Sequence, residues 1–265
     1  MSNMVSIQGL SKAFGGLQAV NQCSFDIPAG GITGLIGPNG AGKTTLFSMV
    51  AGAFKPDSGK ILLDGEDVTG LPTHKLFRKG LVRTFQIPHE FSRMTVRENL
   101  MVVPPGQSGE NLISALLAPG RVRAQEQAVR QKVDDVLDFL QITHVANELA
   151  GNLSGGQKKL LELGRTMMTE ARMALLDEPG AGVNRTLLGK LADAILRLNR
   201  ERGYTFCIIE HDMDLIARLC QPVVVMAHGR VIAEGSMDDI RRNEEVREAY
   251  LGGHAARKLD EDAKS

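Results

Sequence analysis

Eight residues, "GPNGAGKT" from Gly37 to Thr44, constrain this chain more than any other stretch. They follow the apolar run "GGITGLIG" and lead into "KTTLFSMVAGAF", where Leu46, Val50 and Ala53 recur on one side at helical spacing. Strand, glycine loop and helix in that order make a cradle for phosphate. The glycines let backbone amides point at the α- and β-phosphates, and the helix N-terminus adds a favourable dipole. Lys43 then reaches the β- and γ-phosphates, and the Thr44 hydroxyl is placed to ligate Mg2+. The loop predicts a nucleoside triphosphate site.

The remaining strands suit an α/β fold. "MALLDEP", "TFCIIEH" and "PVVVMAHGRVIAEG" are apolar runs, the first two separated by a helix at about 185–202. Such alternation predicts a mostly parallel sheet with helices on its faces. Upstream, "MVSIQGL", "QCSFDIPAGG" and "GKILLDGEDVTG" are strand-like runs punctuated by Gly and Asp, as an antiparallel β sub-domain requires. From about Ile87 to Leu161 the chain turns helical, with "MTVRENLMVV", an interrupted "PPGQSGENLISALLAPG" and the amphipathic "RAQEQAVRQKVDDVLDFLQI". In the last, Val129, Val133, Val136, Leu137 and Leu140 fall on one face. The expected arrangement is one domain over 4–252. Its core and β sub-domain occupy about 1–86 and 162–252, an inserted helical sub-domain about 87–161, and a polar tail 253–265.

Two strand ends carry chemistry. Asp177 and Glu178 close "MALLDEP", at the carboxyl end of a strand, where open α/β sheets bind ligands. Asp177 suits the Mg2+ shell, and Glu178 is then free to polarise a water for attack on the γ-phosphate. Glu210 and His211 end "TFCIIEH" in the same way, so His211 can reach the γ-phosphate edge of that site or serve as a structural hydrogen-bonder.

"LSGGQKK" (Leu153 to Lys159) starts a helix with Ser154 as cap and Gln157 completing a capping box. A capping box needs neither Gly155 nor Gly156. Side-chain-free amides at a helix start suggest a second anion in close approach.

Charge and cysteine usage exclude some roles. Thirty-one basic and thirty-one acidic residues cancel, and Trp is absent, which disfavours nucleic acid as a partner. Cys23, Cys207 and Cys220 are widely spaced with no CxxC pair, a pattern that fits a reducing cytosol. No apolar run suggests a signal peptide or reaches the ~18 residues that span a bilayer, so a membrane role would pass through other chains.

Taken together the motifs resemble the ATP-binding-cassette ATPase family, over roughly residues 4 to 252. "GPNGAGKT" resembles its Walker A loop, "TFQ" its Q-loop, "LSGGQ" its signature, "MALLDEP" its Walker B strand, "AGVN" its D-loop and "EHD" its switch-histidine loop. The resemblance implies a RecA-like P-loop NTPase core binding ATP and Mg2+. It extends the nucleotide contacts over Gly37, Pro38, Asn39, Gly40, Ala41, Gly42, Lys43, Thr44 and Thr45, with Phe14 stacking on adenine and Val20 beside it. Phe14 could also be a core residue of the N-terminal sheet. Glu178, His211, Gln86 and Lys43 would be catalytic, and Thr44, Gln86 and Asp177 would hold the metal.

In this family two cassettes dimerise head to tail. Leu153, Ser154, Gly155, Gly156, Gln157 and Asn184 would then serve the nucleotide held by the partner. Asn184 stands where many members have Asp, and its side chain can hydrogen-bond across the dimer without the charge that couples the two sites in those members. "DEPGAGVN", "IIEHDMDLI" and "VREAYLGG" look most like the ATPase subunits of branched-chain amino acid importers. The resemblance implies a heterodimer with a paralogous ATPase on two transmembrane permease subunits, at the cytoplasmic face of the inner membrane. An extracytoplasmic solute-binding protein would feed them. Ile87, Pro88, Phe91 and Met94 would receive a permease helix or else fill the sub-domain core. An exporter-type ATPase that extracts lipopolysaccharide and a soluble cassette protein are the alternatives.

Overall fold

The computed structural model describes residues 2–84, 90–106 and 119–250, and the chain divides into two units. The first takes Met1–Arg83, Arg172–Pro179 and Ile195–Ser265. In it β1 (Asn3–Phe14), β2 (Leu17–Pro28), β4 (Ser58–Leu63) and β5 (Glu66–Asp67) form an antiparallel sheet in the order β2-β1-β4-β5. Asp64 and Gly65, both at positive φ, make the two-residue turn between β4 and β5. The run "GKILLDGEDVTG" is therefore a hairpin rather than one strand.

A six-stranded sheet in the order β10-β9-β3-β8-β7-β6 carries the site. Its strands are β3 (Ile32–Ile36), β6 (Leu81–Arg83), β7 (Met173–Asp177), β8 (Thr205–Ile209), β9 (Val223–Ala227) and β10 (Arg230–Gly235). All neighbours are parallel except β10 on β9. Every residue of β3, β7, β8 and β9 is buried, which is why these strands read as continuous apolar runs instead of alternating ones. Leu35, Leu46, Phe47, Ile209, Val224 and Met226 belong to one buried cluster with Val5, Leu10 and Ile61 of the antiparallel sheet. Each such side chain contributes about 1.5–3 kcal/mol relative to exposure.

Helix α1 (Lys43–Val50) follows β3, and α2 (Thr73–Arg78) precedes β6. The periodicity that ran on to Ala53 overshoots the end of α1. Gly52 lies at φ +74, and a Cβ there would meet the Leu71 carbonyl oxygen at 2.3 Å, so the chain turns off at that glycine.

The second unit takes Thr84–Ala171 and Gly180–Ala194, wider at both edges than the 87–161 expected. Helices α3 (Val96–Met101), α4 (Pro119–Phe139) and α5 (Gly155–Met168) bury Leu100, Val133, Val136, Leu137, Leu160, Leu163 and Met167. A Cβ on Gly164 would meet Leu140 at 2.9 Å, Leu100 at 3.2 Å and Val136 at 3.3 Å, so that glycine sets how closely α5 approaches its neighbours. Asn99, fully buried, ties the loop ahead of α3. Its Oδ1 accepts from the Phe91 amide at 2.8 Å and its Nδ2 donates to the Phe91 carbonyl at 3.0 Å.

Helix α6 (Arg185–Arg202) begins in the second unit. The first unit also holds α7 (Met213–Leu219) and α8 (Met237–Arg242). No helix among the described residues is long and apolar enough to cross a membrane.

Candidate nucleotide site

The loop between β3 and α1 is built around three glycines at positive φ: Gly37 at +148, Gly40 at +80 and Gly42 at +97. Two of them are walled in. A Cβ on Gly37 would lie 2.0 Å from the Met226 carbonyl oxygen, and one on Gly42 would lie 2.2 Å from that of Ala19. No other residue fits either position. Gly42 is also the N-cap of α1, and no side chain caps that helix. The first amides of α1 are thus left to an external acceptor, as a phosphate site needs.

Lys43 is 6% exposed and donates from Nζ to the carbonyls of Gly37 at 2.8 Å and Pro38 at 3.0 Å. Burial lowers its pKa from the ordinary lysine range, while the charges of Glu178 and Asp177 pull the other way and do not prevail. A buried ammonium among carbonyl dipoles is stabilised by any anion placed beside it.

Asp177 ends β7 with its side chain 5% exposed, and its Oδ2 accepts from Arg83 Nη2 at 2.8 Å. Arg83 Nη1 donates to Ser48 Oγ at 2.9 Å, and that hydroxyl donates to the Thr44 carbonyl at 2.7 Å. The Asp177 carboxylate and the Thr44 hydroxyl are hard oxygen donors of the kind Mg2+ takes alongside water and phosphate. The residues present fit the ion. Sequence reasoning missed Arg83, whose one signal was a cation closing a short apolar strand.

Glu178, the next residue, sits at φ +49, and its amide donates to the Ile209 carbonyl of β8 at 2.9 Å. A non-glycine residue in that region is strained, and here the neighbouring strand holds it there. His211 Nε2 lies 3.1 Å from Glu178 Oε1. Its own backbone is fixed on both sides. The His211 amide donates to Glu210 Oε2 at 3.0 Å, and Asp212 caps α7 by accepting from the Asp214 and Leu215 amides, both at 3.0 Å. Glu178, His211, Lys43 and Asp177 all lie in the first unit.

Phe14 is 44% exposed, edge-to-face with Phe54 at 5.6 Å between ring centres, with Lys12 Nζ 5.6 Å from its ring. It is available to a planar ligand and is not a core residue. Val20 is wholly buried, so it backs the sheet and offers a ligand no surface in this conformation. Gln86, with Ile87 and Pro88, lies outside the described residues. Phe91 is 49% exposed beneath Arg165, whose guanidinium stands 5.3 Å from its ring centre.

In the second unit Ser154 caps α5 in a full capping box. The Gln157 amide donates to Ser154 Oγ at 3.4 Å, and Gln157 Oε1 accepts from the Ser154 amide and hydroxyl, both at 2.9 Å. The two glycines behind it differ. A Cβ on Gly156 would meet Leu187 at 2.6 Å and Val183 at 3.0 Å, so this chain's own packing already demands glycine there. Among the described residues a Cβ on Gly155 would meet the Gly182 carbonyl oxygen alone, at 3.4 Å, an ordinary contact. Asn184 is a cap as well, its Oδ1 accepting from the Leu187 amide at 3.0 Å, a role that Asp would fill equally.

Residues 20–181 match the family model of the ABC transporter, and residues 230–256 match that of the branched-chain amino acid ATP-binding cassette transporter. The chain is 42% identical over 249 residues to a probable branched-chain amino acid transport ATP-binding protein LivG of Archaeoglobus fulgidus, covering 94% of this chain and 95% of that one. It is 40% identical to the high-affinity branched-chain amino acid transport ATP-binding protein BraF of Pseudomonas aeruginosa, covering 94% and 98%. Among solved structures, a nucleotide-free ATP-binding cassette from an ABC transporter superposes with a TM-score of 0.80 at 35% identity, covering 94% and 98%. Another cassette in its ADP conformation gives 0.79 at 33%, covering 95% and 100%.

Proposed function

The chain belongs to the ABC transporter family of ATP-binding cassettes, and on that footing we propose that it is the ATP-hydrolysing subunit of a membrane importer for amino acids, branched-chain ones foremost. Hydrolysis is carried by one observation: a carboxylate and an imidazole 3.1 Å apart, at the ends of adjacent parallel strands in the unit that holds the phosphate loop. The match of residues 230–256 supports the amino-acid cargo. Nothing in the chain favours the lipopolysaccharide exporter or a soluble cassette over it.

Glu178 takes the proton of the water that attacks the γ-phosphorus, and His211 holds the carboxylate to that direction. Lys43 leaves the loop carbonyls for the β- and γ-phosphate oxygens. The uncapped start of α1 accepts the remaining phosphate charge, and Phe14 stacks on the base. Thr44 and Asp177 would hold Mg2+, with Gln86, and that ion when bound neutralises charge on the phosphates. Glu178 sits in a backbone conformation that aims it before any ligand arrives, so little reorganisation is left for the reaction.

Ser154, Gly155 and Gly156 would face the γ-phosphate on a paralogous cassette, and Asn184 the same interface, so ATP closes the pair and its hydrolysis reopens it. The pair would sit on two permease subunits at the cytoplasmic face of the membrane, with a solute-binding protein outside.

The test is reconstitution of the chain with co-purified companions in vesicles. ATP-dependent uptake of leucine, isoleucine or valine is expected. ATPase activity that no amino acid stimulates, with no permease among the companions, would overturn the reading.

A further inference from the structure

The Arg83 guanidinium is an expensive object to bury. Its side chain is 13% exposed, and Nε has no hydrogen-bond partner among the described residues. A buried donor left without an acceptor persists when the group's other bonds are needed. Those two bonds lead to the two residues read above as metal-holding. Among the described residues Nη2 grips Asp177 at one oxygen, Oδ2, at 2.8 Å. Nη1 holds Ser48 Oγ at 2.9 Å, and Ser48 returns to the Thr44 carbonyl at 2.7 Å. Strand pairing makes the geometry rigid, because Arg83 of β6 stands in register with Leu175 of β7, two residues before Asp177. One planar fork thus ties the end of β7 to Ser48 in the second turn of α1 and, through that hydroxyl, to the Thr44 carbonyl in the first.

We propose that Arg83 is a positioning residue of the metal site: it holds Asp177 by Oδ2, leaves Oδ1 to the Mg2+ shell in a single orientation, and ties Thr44 to the same frame. This rests on the reading of Asp177 and Thr44 as the metal's protein partners. Arginine suits the task because its fixed fork reaches two acceptors at once, whereas a lysine ammonium keeps the charge without the plane. Partners that orient metal-holding carboxylates set metal affinity by about 10- to 100-fold when removed.

The experiment titrates Mn2+ as a Mg2+ probe into the full chain with saturating ATP at low temperature, read by electron paramagnetic resonance. ATP binding without metal is measured in parallel with EDTA. Arg83→Met is expected to weaken Mn2+ binding at least ~10-fold while metal-free ATP binding stays within about two-fold. Arg83→Lys should fall between it and the parent. Ser48→Ala removes the second acceptor without stranding a charge, and should cost about three-fold, a smaller share of the same effect. It carries the test if the Arg83 variants do not fold. Asp177→Asn separates the two ideas. If it leaves Mn2+ affinity unchanged, the metal reading fails. If it weakens Mn2+ while the Arg83 and Ser48 variants do not, the proposal alone fails. Tighter Mn2+ binding in Arg83→Met would mark Arg83 as a competing counter-ion and would also overturn it.

Discussion

Two helices of this chain begin at glycines, and they begin in opposite ways. Helix α1 starts at Gly42 with no side chain over its first amides, behind a loop whose glycines at 37 and 42 leave a Cβ only 2.0 and 2.2 Å from backbone oxygens. Helix α5 starts at Ser154 with its cap complete, and neither Gly155 nor Gly156 has positive φ. The first start is unfinished without an anion; the second is finished within its own chain. Glycine at a helix start therefore has at least two physical meanings, a backbone forced into left-handed territory or a neighbour packed too close for a methyl group.

Perturbations can break the contrast. Glu178→Gln should have the largest effect, slowing ATP hydrolysis by about 100- to 10,000-fold while nucleotide binding persists, since only the proton acceptor at the first site is lost. Normal turnover in single-round assays would remove Glu178 from that role. Gly42→Ala comes next. It combines a left-handed backbone with a wall 2.2 Å away, so chemical denaturation should show a loss on the order of 3 kcal/mol or more, with ATP binding falling too.

At the second start the two glycines should part company. Gly156→Ala should destabilise the chain by about 1–3 kcal/mol through overpacking against Leu187 and Val183. Gly155→Ala should change stability by less than ~0.5 kcal/mol and lower hydrolysis only in the assembled pair of cassettes. Equal melting shifts for the two would erase the distinction. The smallest effect belongs to Asn184→Asp, which should leave the monomer within ~0.5 kcal/mol because both residues cap a helix well.

What could be read from the sequence follows how far apart the cooperating residues lie. The phosphate loop was legible because its strand, turn and helix are contiguous, and the buried parallel strands because covering both faces leaves an unbroken apolar run. Asp177, Glu178 and His211 were legible as strand ends. The Arg83–Asp177 pair was not, because 94 residues separate its members and only the β6–β7 register brings them together. The packing demand on Gly156 was hidden for a similar reason: its close neighbours, Val183 and Leu187, come from a segment nearly thirty residues later in the chain. The overshoot of α1 to Ala53 arose from trusting periodicity past Gly52.

The left-handed backbone at Glu178 has a consequence for anyone improving this protein in the laboratory. A glycine there would relax the turn and gain on the order of 1 kcal/mol, while deleting the carboxylate. Directed evolution that rewards heat tolerance alone would therefore select sturdier but inert descendants at this codon, unless every round also demands turnover.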